Sequence, residues 1–111
     1  MSNLIFKTDI SNNILFDFLK IYCHNENDYY ILDKLIFKQY EYNNLVADFY
    51  NKIKDNYKEA KRYYLDRSVS YNNFLTIIRQ ICKNNNIPYY SKIKYDKNKY
   101  YIIYFIKNIS L

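Results

Sequence analysis

The residues best suited to chemistry in this 111-residue chain are basic and amide side chains gathered toward its C-terminal end. On a helix turning 100° per residue, Asn72, Thr76, Arg79 and Lys83 fall within about 60° of one another, with Asn73 and Gln80 beside them. Arg and Lys match phosphates and guanine edges, and Asn and Gln match adenine, so this stripe has the composition of a nucleic-acid-reading face. Tyr71, Phe74, Leu75, Ile78, Ile81 and Cys82 cover the other side, with Ile77 at the boundary, which gives the same segment a core face. Four lysines follow. Lys92 and Lys94 are two apart and so project from one side of a strand, and Lys97 and Lys99 surround a turn. Each feature also has a plain structural reading: a solvated helix face, and a strand edge guarded by lysine.

Charge separates these readings. The chain carries 17 Lys and Arg against 11 Asp and Glu, a net charge of +6. Met1 to Tyr71 holds 10 basic and 10 acidic residues, whereas Asn72 to Leu111 holds seven basic residues and one acid, Asp96. The whole excess therefore belongs to the last helix and hairpin, a local positive field of the kind that attracts polyanions. Composition is otherwise a weak guide. Ile, Asn, Tyr, Lys and Phe supply 69 of the 111 residues, all from AT-rich codons, so mutational bias accounts for many of the 16 Tyr. Such bias does not remove acids from one segment alone.

Other chemistry is poorly served. Gly is absent, which excludes phosphate-cradling loops and dinucleotide fingerprints and leaves positive-φ turns to Asn and Asp. With one His, His24, three Arg and no nucleophile–base–acid spacing, neither enzyme activity nor a cofactor is expected. Cys23 and Cys82 lack CxxC spacing and read as reduced thiols, Cys82 on a buried helix face. No metal site is expected, because structural zinc takes four Cys or His ligands. No apolar run approaches the roughly 18 residues of a membrane span. Met1 to Ile10 lacks the basic start and apolar stretch of a secretory signal, so an intracellular, non-membrane location is expected.

The elements that position the stripe can be read in order. The length suits a single domain over 1–111, with an N-terminal helical part at about 11–62. Ser11 and Asn12 cap a first helix, about Asn13 to Tyr22, in which Ile14, Leu15, Phe18, Leu19 and Tyr22 follow helical spacing. The polar stretch His24 to Asp28 ends it. Tyr29 to Leu32 suits a short strand, after which Asp33 caps a helical turn carrying Leu35, Ile36 and Phe37. Asn43 or Asn44 caps the next helix, about Asn44 to Arg62, where Leu45, Phe49, Ile53 and Tyr57 repeat every four residues. Asp48 with Lys52, and Asp55 with Lys58, are spaced for helical ion pairs. Tyr63 to Val69 is a connector. Ser70 caps the helix at about 71–84, and one residue of Asn84-Asn85-Asn86 takes the left-handed position that ends it. After Pro88, Tyr89 to Tyr95 and Lys99 to Ile106 are rich in strand-forming Tyr and Ile. Asp96-Lys97-Asn98 joins them as a three-residue loop with Asn98 left-handed. The fold class expected is mainly α with a C-terminal antiparallel β-hairpin at about 89–106, of the α+β kind.

From about Asn43 to Ile106 this order resembles the winged helix-turn-helix modules of viral and phage replication and transcription proteins. The residues that carry it are the Leu45-x3-Phe49 helix, the Ser68-Val-Ser-Tyr-Asn-Asn-Phe-Leu-Thr-Ile-Ile-Arg-Gln-Ile segment read as the start of the last helix, and the Ile93-to-Tyr104 hairpin, although the turn and wing lack Gly. The resemblance implies a recognition helix at 71–84 entering the major groove through Asn72, Asn73, Thr76, Arg79, Gln80 and Lys83. It also implies a wing touching phosphate through Lys92, Lys94, Lys97 and Lys99. Duplex DNA is then the expected partner. The sequence style further resembles small proteins of AT-rich nucleocytoplasmic giant viruses, which implies a role in transcription, replication or genome packaging, in the host cytoplasm, viral factory or virion. Two alternatives stand beside this. One is a protein-interaction or virion structural module, including a homodimer through the Tyr-rich surface, because Tyr100 to Ile106 is apolar on both sides. The other is an RNA or single-strand binder that stacks bases on Tyr89, Tyr90, Tyr95, Tyr100 and Tyr101.

Overall fold

The computed structural model describes residues 13–34 and 39–109, and within them the chain is an α+β fold of four helices and one four-stranded antiparallel sheet. Helix α1 occupies 13–22 and is followed by strands β1 (His24–Glu26) and β2 (Tyr29–Leu32). Helices α2 (Gln39–Ile53), α3 (Lys58–Asp66) and α4 (Tyr71–Asn84) come next, and strands β3 (Tyr89–Asp96) and β4 (Lys99–Lys107) close the chain. The expected caps Ser11 and Asn12, and the expected turn at Leu35, Ile36 and Phe37, lie outside the described residues.

The β structure is not confined to the C-terminus. The stretch His24 to Asp28, read from sequence as a polar helix terminator, forms β1 and the turn of a second hairpin. Asn27 and Asp28 adopt φ of 54° and 67° and so supply the left-handed pair that a tight hairpin needs, without Gly. The sheet order is β1-β2-β4-β3, so the strand that precedes the helical block pairs with the last strand. Tyr30 stands opposite Ile106 and Leu32 opposite Tyr104. All four are buried, and their shared parity defines the side of the sheet that the helices cover.

The helical block also departs from the expected single helix over about 44–62. Helix α2 begins at Gln39, so Asn43 and Asn44 lie inside it rather than capping it. Asn in a helix interior costs well under 1 kcal/mol, and burial of Val46, Phe49, Tyr50 and Ile53 outweighs that. The chain then leaves the helix at Ile53 and restarts at Lys58 after an extended Tyr57, with φ −134° and ψ 115°. The break folds α3 back so that Ala60 and Tyr63 reach the core, and the Tyr50 and Tyr63 rings approach to 5.8 Å. One straight helix would carry those residues past it. The Asp48–Lys52 ion pair forms at 3.1 Å. Asp55 falls in the inter-helix turn, and in α3 it is Glu59 that pairs with Arg62, at 2.7 Å. The expected connector is shorter, because Tyr63 to Asp66 remain helical.

Helix α4 coincides with the expected 71–84 segment. Ser70 caps it, its hydroxyl oxygen accepting from the Asn73 backbone N–H at 3.2 Å. The Asn run ends it with Asn86 at φ 56°, while the Ile87 N–H reaches back to the Cys82 carbonyl at 2.9 Å. This is the Schellman arrangement. Arg67 ends α3 in the same way at φ 55°, with the Ser68 N–H bonded to the Tyr63 carbonyl. The core is centred on Phe18 of α1, Phe49 of α2 and Phe74 of α4, whose ring centroids lie 5.3, 5.3 and 5.5 Å apart pairwise. Ile77, expected at the boundary of α4, is fully buried.

Candidate nucleic-acid interface

The polar stripe of α4 survives folding as a surface. Asn72, Arg79 and Lys83 are exposed, while Asn73, Thr76 and Gln80 are half-buried along its margin. The stripe is internally ordered. The Thr76 hydroxyl donates to the Asn72 carbonyl at 3.1 Å, the usual return bond of a helical Thr. The Arg79 guanidinium then donates to Thr76 Oγ1 at 3.3 Å and to the Tyr104 hydroxyl at 3.2 Å. Two of its five donors are engaged in this way, which fixes the side chain against the sheet and leaves three for a ligand.

Tyr104 was not among the residues singled out from sequence, yet it joins the helix to the hairpin. Tyr71 is the second such link. Its hydroxyl lies 2.9 Å from the Leu32 carbonyl and 2.8 Å from the Ile102 carbonyl, clamping the first turn of α4 to both β2 and β4. Burial holds the Tyr71 phenol above its ordinary ionisation range, so it acts as a neutral donor. These contacts span 25 to 39 positions in sequence, and no local pattern announces them.

Beyond these anchors the hairpin runs on as an arm. β2 pairs with Tyr104 to Lys107 of β4, so among the described residues the outer part of β3 and β4 has no third strand beside it. The turn is tighter than expected. Asp96 pairs with Lys99, and Lys97 and Asn98 alone make the connection, with φ of 50° and 71°. Two left-handed central residues match the twist of the flanking strands, which a three-residue loop here would not need.

Parity divides the lysines. Tyr89, Ser91, Ile93 and Tyr95 share a side with Tyr104 and Arg79, whereas Lys92, Lys94 and Lys99, the last opposite Asp96, project from the opposite side. Lys92 places its ammonium 5.3 Å from the Phe105 ring centre and 5.9 Å from that of Tyr90, over an aromatic pair on that outer side. Lys94 donates to Asp33 at 2.9 Å, and the Tyr101 hydroxyl donates to the same carboxylate at 3.1 Å. Asp33, expected as a helix cap, is thus a buried counter-charge, and its hydrogen bond holds the Lys94 ammonium above its ordinary pKa. Lys97 and Lys99 remain exposed at the tip. The structure therefore brings together Asn72, Thr76, Arg79 and Lys83 on the α4 stripe, puts Lys97 and Lys99 at the arm's end, and turns Lys92, Lys94 and Lys99 to the side away from α4.

The thiols take no part. Cys82 is buried in α4, and burial raises both Cys82 and Cys23 to about 12. Among the described residues no group of three His, Cys, Asp or Glu side chains could hold a metal ion, and no helix is long and apolar enough to cross a membrane. Comparison with family models, curated proteins and solved structures finds no match to the chain.

Proposed function

We propose that this protein binds duplex DNA as a winged helix-turn-helix module, with α4 as the reading helix and the β3–β4 tip as the wing. The observation that carries the reading is the Arg79–Tyr104 contact, which seats the amide- and base-bearing stripe of α4 directly against the arm. Three features support it further. A four-residue turn, Arg67 to Ser70, separates α3 from α4. The strand ahead of the helices pairs with the second strand of the arm. The segment from Asn72 onward holds seven basic residues and one acid. The contact set is Asn72, Thr76, Arg79 and Lys83 with Lys97 in the turn of the arm and Lys99 at the same tip from its outer side, and the role is binding rather than catalysis. A place in viral transcription, replication or packaging follows only from the resemblance in sequence style.

A titration of the folded protein with duplex DNA at two salt concentrations tests this. If four to six phosphates are contacted, log affinity falls against log salt with a slope of about −0.9 for each. Lys97→Glu with Lys99→Glu is expected to abolish binding, whereas Lys92→Gln is expected to change it little. Undiminished binding by the tip variant would remove the wing from the mechanism. Absence of binding by the wild-type protein would favour a protein-interaction module, a reading to which the exposed Ile93, Tyr95, Tyr100 and Ile102 lend weight.

A further inference from the structure

The arm carries an exposed apolar surface that the duplex contacts leave unused. Ile93 stands opposite Ile102, and Tyr95 opposite Tyr100, on the side of the hairpin that faces α4. Toward the root of the arm this same side is core, with Tyr104 and Ile106 buried. Toward the tip, beyond the Tyr71–Ile102 contact, the side emerges into solvent, leaving Tyr95 75% and Tyr100 67% exposed. Their ring centroids lie 6.3 Å apart at 56°, so each ring offers an open face rather than covering the other. Four large apolar side chains in two adjacent cross-strand pairs form a continuous patch, and such patches mark binding surfaces.

Charge selects the occupant. Lys97 follows the patch in the turn at the tip, Arg79 borders its inner end, and the one acid of the arm, Asp96, lies on the other side of the hairpin opposite Lys99. A second copy of the arm would bring the same lysines together, which opposes self-association. An anionic partner with flat apolar faces fits both properties, and unpaired nucleotides have phosphates and π-faces at the required spacing. Tyr100 is four residues from Tyr104, roughly 13 Å along an extended strand. That distance separates the Tyr pair from the residue that anchors Arg79.

We infer that Tyr95 and Tyr100 form a stacking site for unpaired bases, so that the protein prefers DNA where the duplex opens, at a bulge or a single-stranded overhang, to uninterrupted duplex. The inference rests on the duplex-binding reading above and adds to it the DNA structure that is selected.

The test compares a blunt duplex with the same duplex carrying a three-nucleotide bulge, with 2-aminopurine as one of the unpaired bases. The wild-type protein is expected to bind the bulged probe about tenfold more tightly and to quench its fluorescence on stacking. Tyr95→Thr with Tyr100→Thr keeps strand-forming residues at exposed positions. This variant is expected to lose both the preference and the quenching while retaining its affinity for blunt duplex. Equal wild-type affinity for the two probes, or a preference that survives in the variant, overturns the inference and leaves duplex binding intact. Failure to bind either probe overturns both. Sedimentation of the DNA-free protein gives a separate check. A wild-type dimer that the double variant converts to monomer would make the patch an interface between copies and overturn the stacking site.

Discussion

Two buried tyrosines should respond to the same substitution with opposite signs. Tyr71 and Tyr50 both lose only a hydroxyl on replacement by Phe, and both are buried, at 7% and 0% exposure. The Tyr71 hydroxyl sits at 2.9 and 2.8 Å from two backbone carbonyls, so Tyr71→Phe removes a hydrogen bond and leaves buried acceptors less satisfied. Such a loss costs about 1–2 kcal/mol. The Tyr50 hydroxyl has no hydrogen-bond partner among the described residues, so its desolvation is not offset. Tyr50→Phe deletes that unsatisfied group and leaves a void of one oxygen, for a net gain of about 0.5–1 kcal/mol. The two variants should therefore differ by about 2 kcal/mol, or about 8 °C in Tm at about 4 °C per kcal/mol. Urea unfolding followed by far-UV circular dichroism measures the difference, and an unchanged m-value would confine it to the native state. A Tyr71→Phe protein as stable as wild type would refute the link between α4 and the arm, and a destabilised Tyr50→Phe would refute the unsatisfied state of that hydroxyl. Because that clamp fixes the arm relative to the stripe, Tyr71→Phe is also expected to weaken DNA binding, while Tyr50→Phe leaves it unchanged.

Three further outcomes are expected. Arg79→Ala should cost about 1–3 kcal/mol of binding and narrow the gap between selected and scrambled duplex, whereas Lys83→Ala should weaken both equally and shallow the salt slope by about one unit; paired titrations decide between these patterns. Arg67→Gly should raise stability by up to about 1 kcal/mol in chemical denaturation, since Arg67 holds φ 55° where only Gly is free of steric cost, and a loss of stability would show that its side chain matters more than its backbone. Stability should fall as pH rises above 9, because unfolded Cys82 releases its proton near 9.0 while the folded thiol keeps it to about 12. The unfolded chain then binds fewer protons, which gives a decline of about 1.4 kcal/mol per pH unit from this group between those values. Cys82→Ala should be less stable at pH 8 but decline less steeply from 9 to 11.

Features that depend on neighbours along the chain were legible in the sequence. The Ser70 cap, the two-sided pattern of Tyr71 to Asn84 and the Asn run beyond it defined α4, because helix periodicity and capping are local. The Tyr- and Ile-rich runs after Pro88 defined the hairpin for the same reason. The Gly-free composition correctly sent most left-handed positions to Asn and Asp, though Arg67 and Lys97 adopt them too, since packing and strand twist override a modest local strain. Tertiary structure alone decided which residues act together. The break in the helical block, the first hairpin at His24 to Leu32 and the pairing of β2 with β4 all arise from burying apolar faces against elements distant in sequence. Pairing register then sets which side of the arm each strand lysine occupies, so Lys92, Lys94 and Lys99 face away from α4. Asp33, 61 positions from Lys94, neutralises a charge that any count along the chain would leave free.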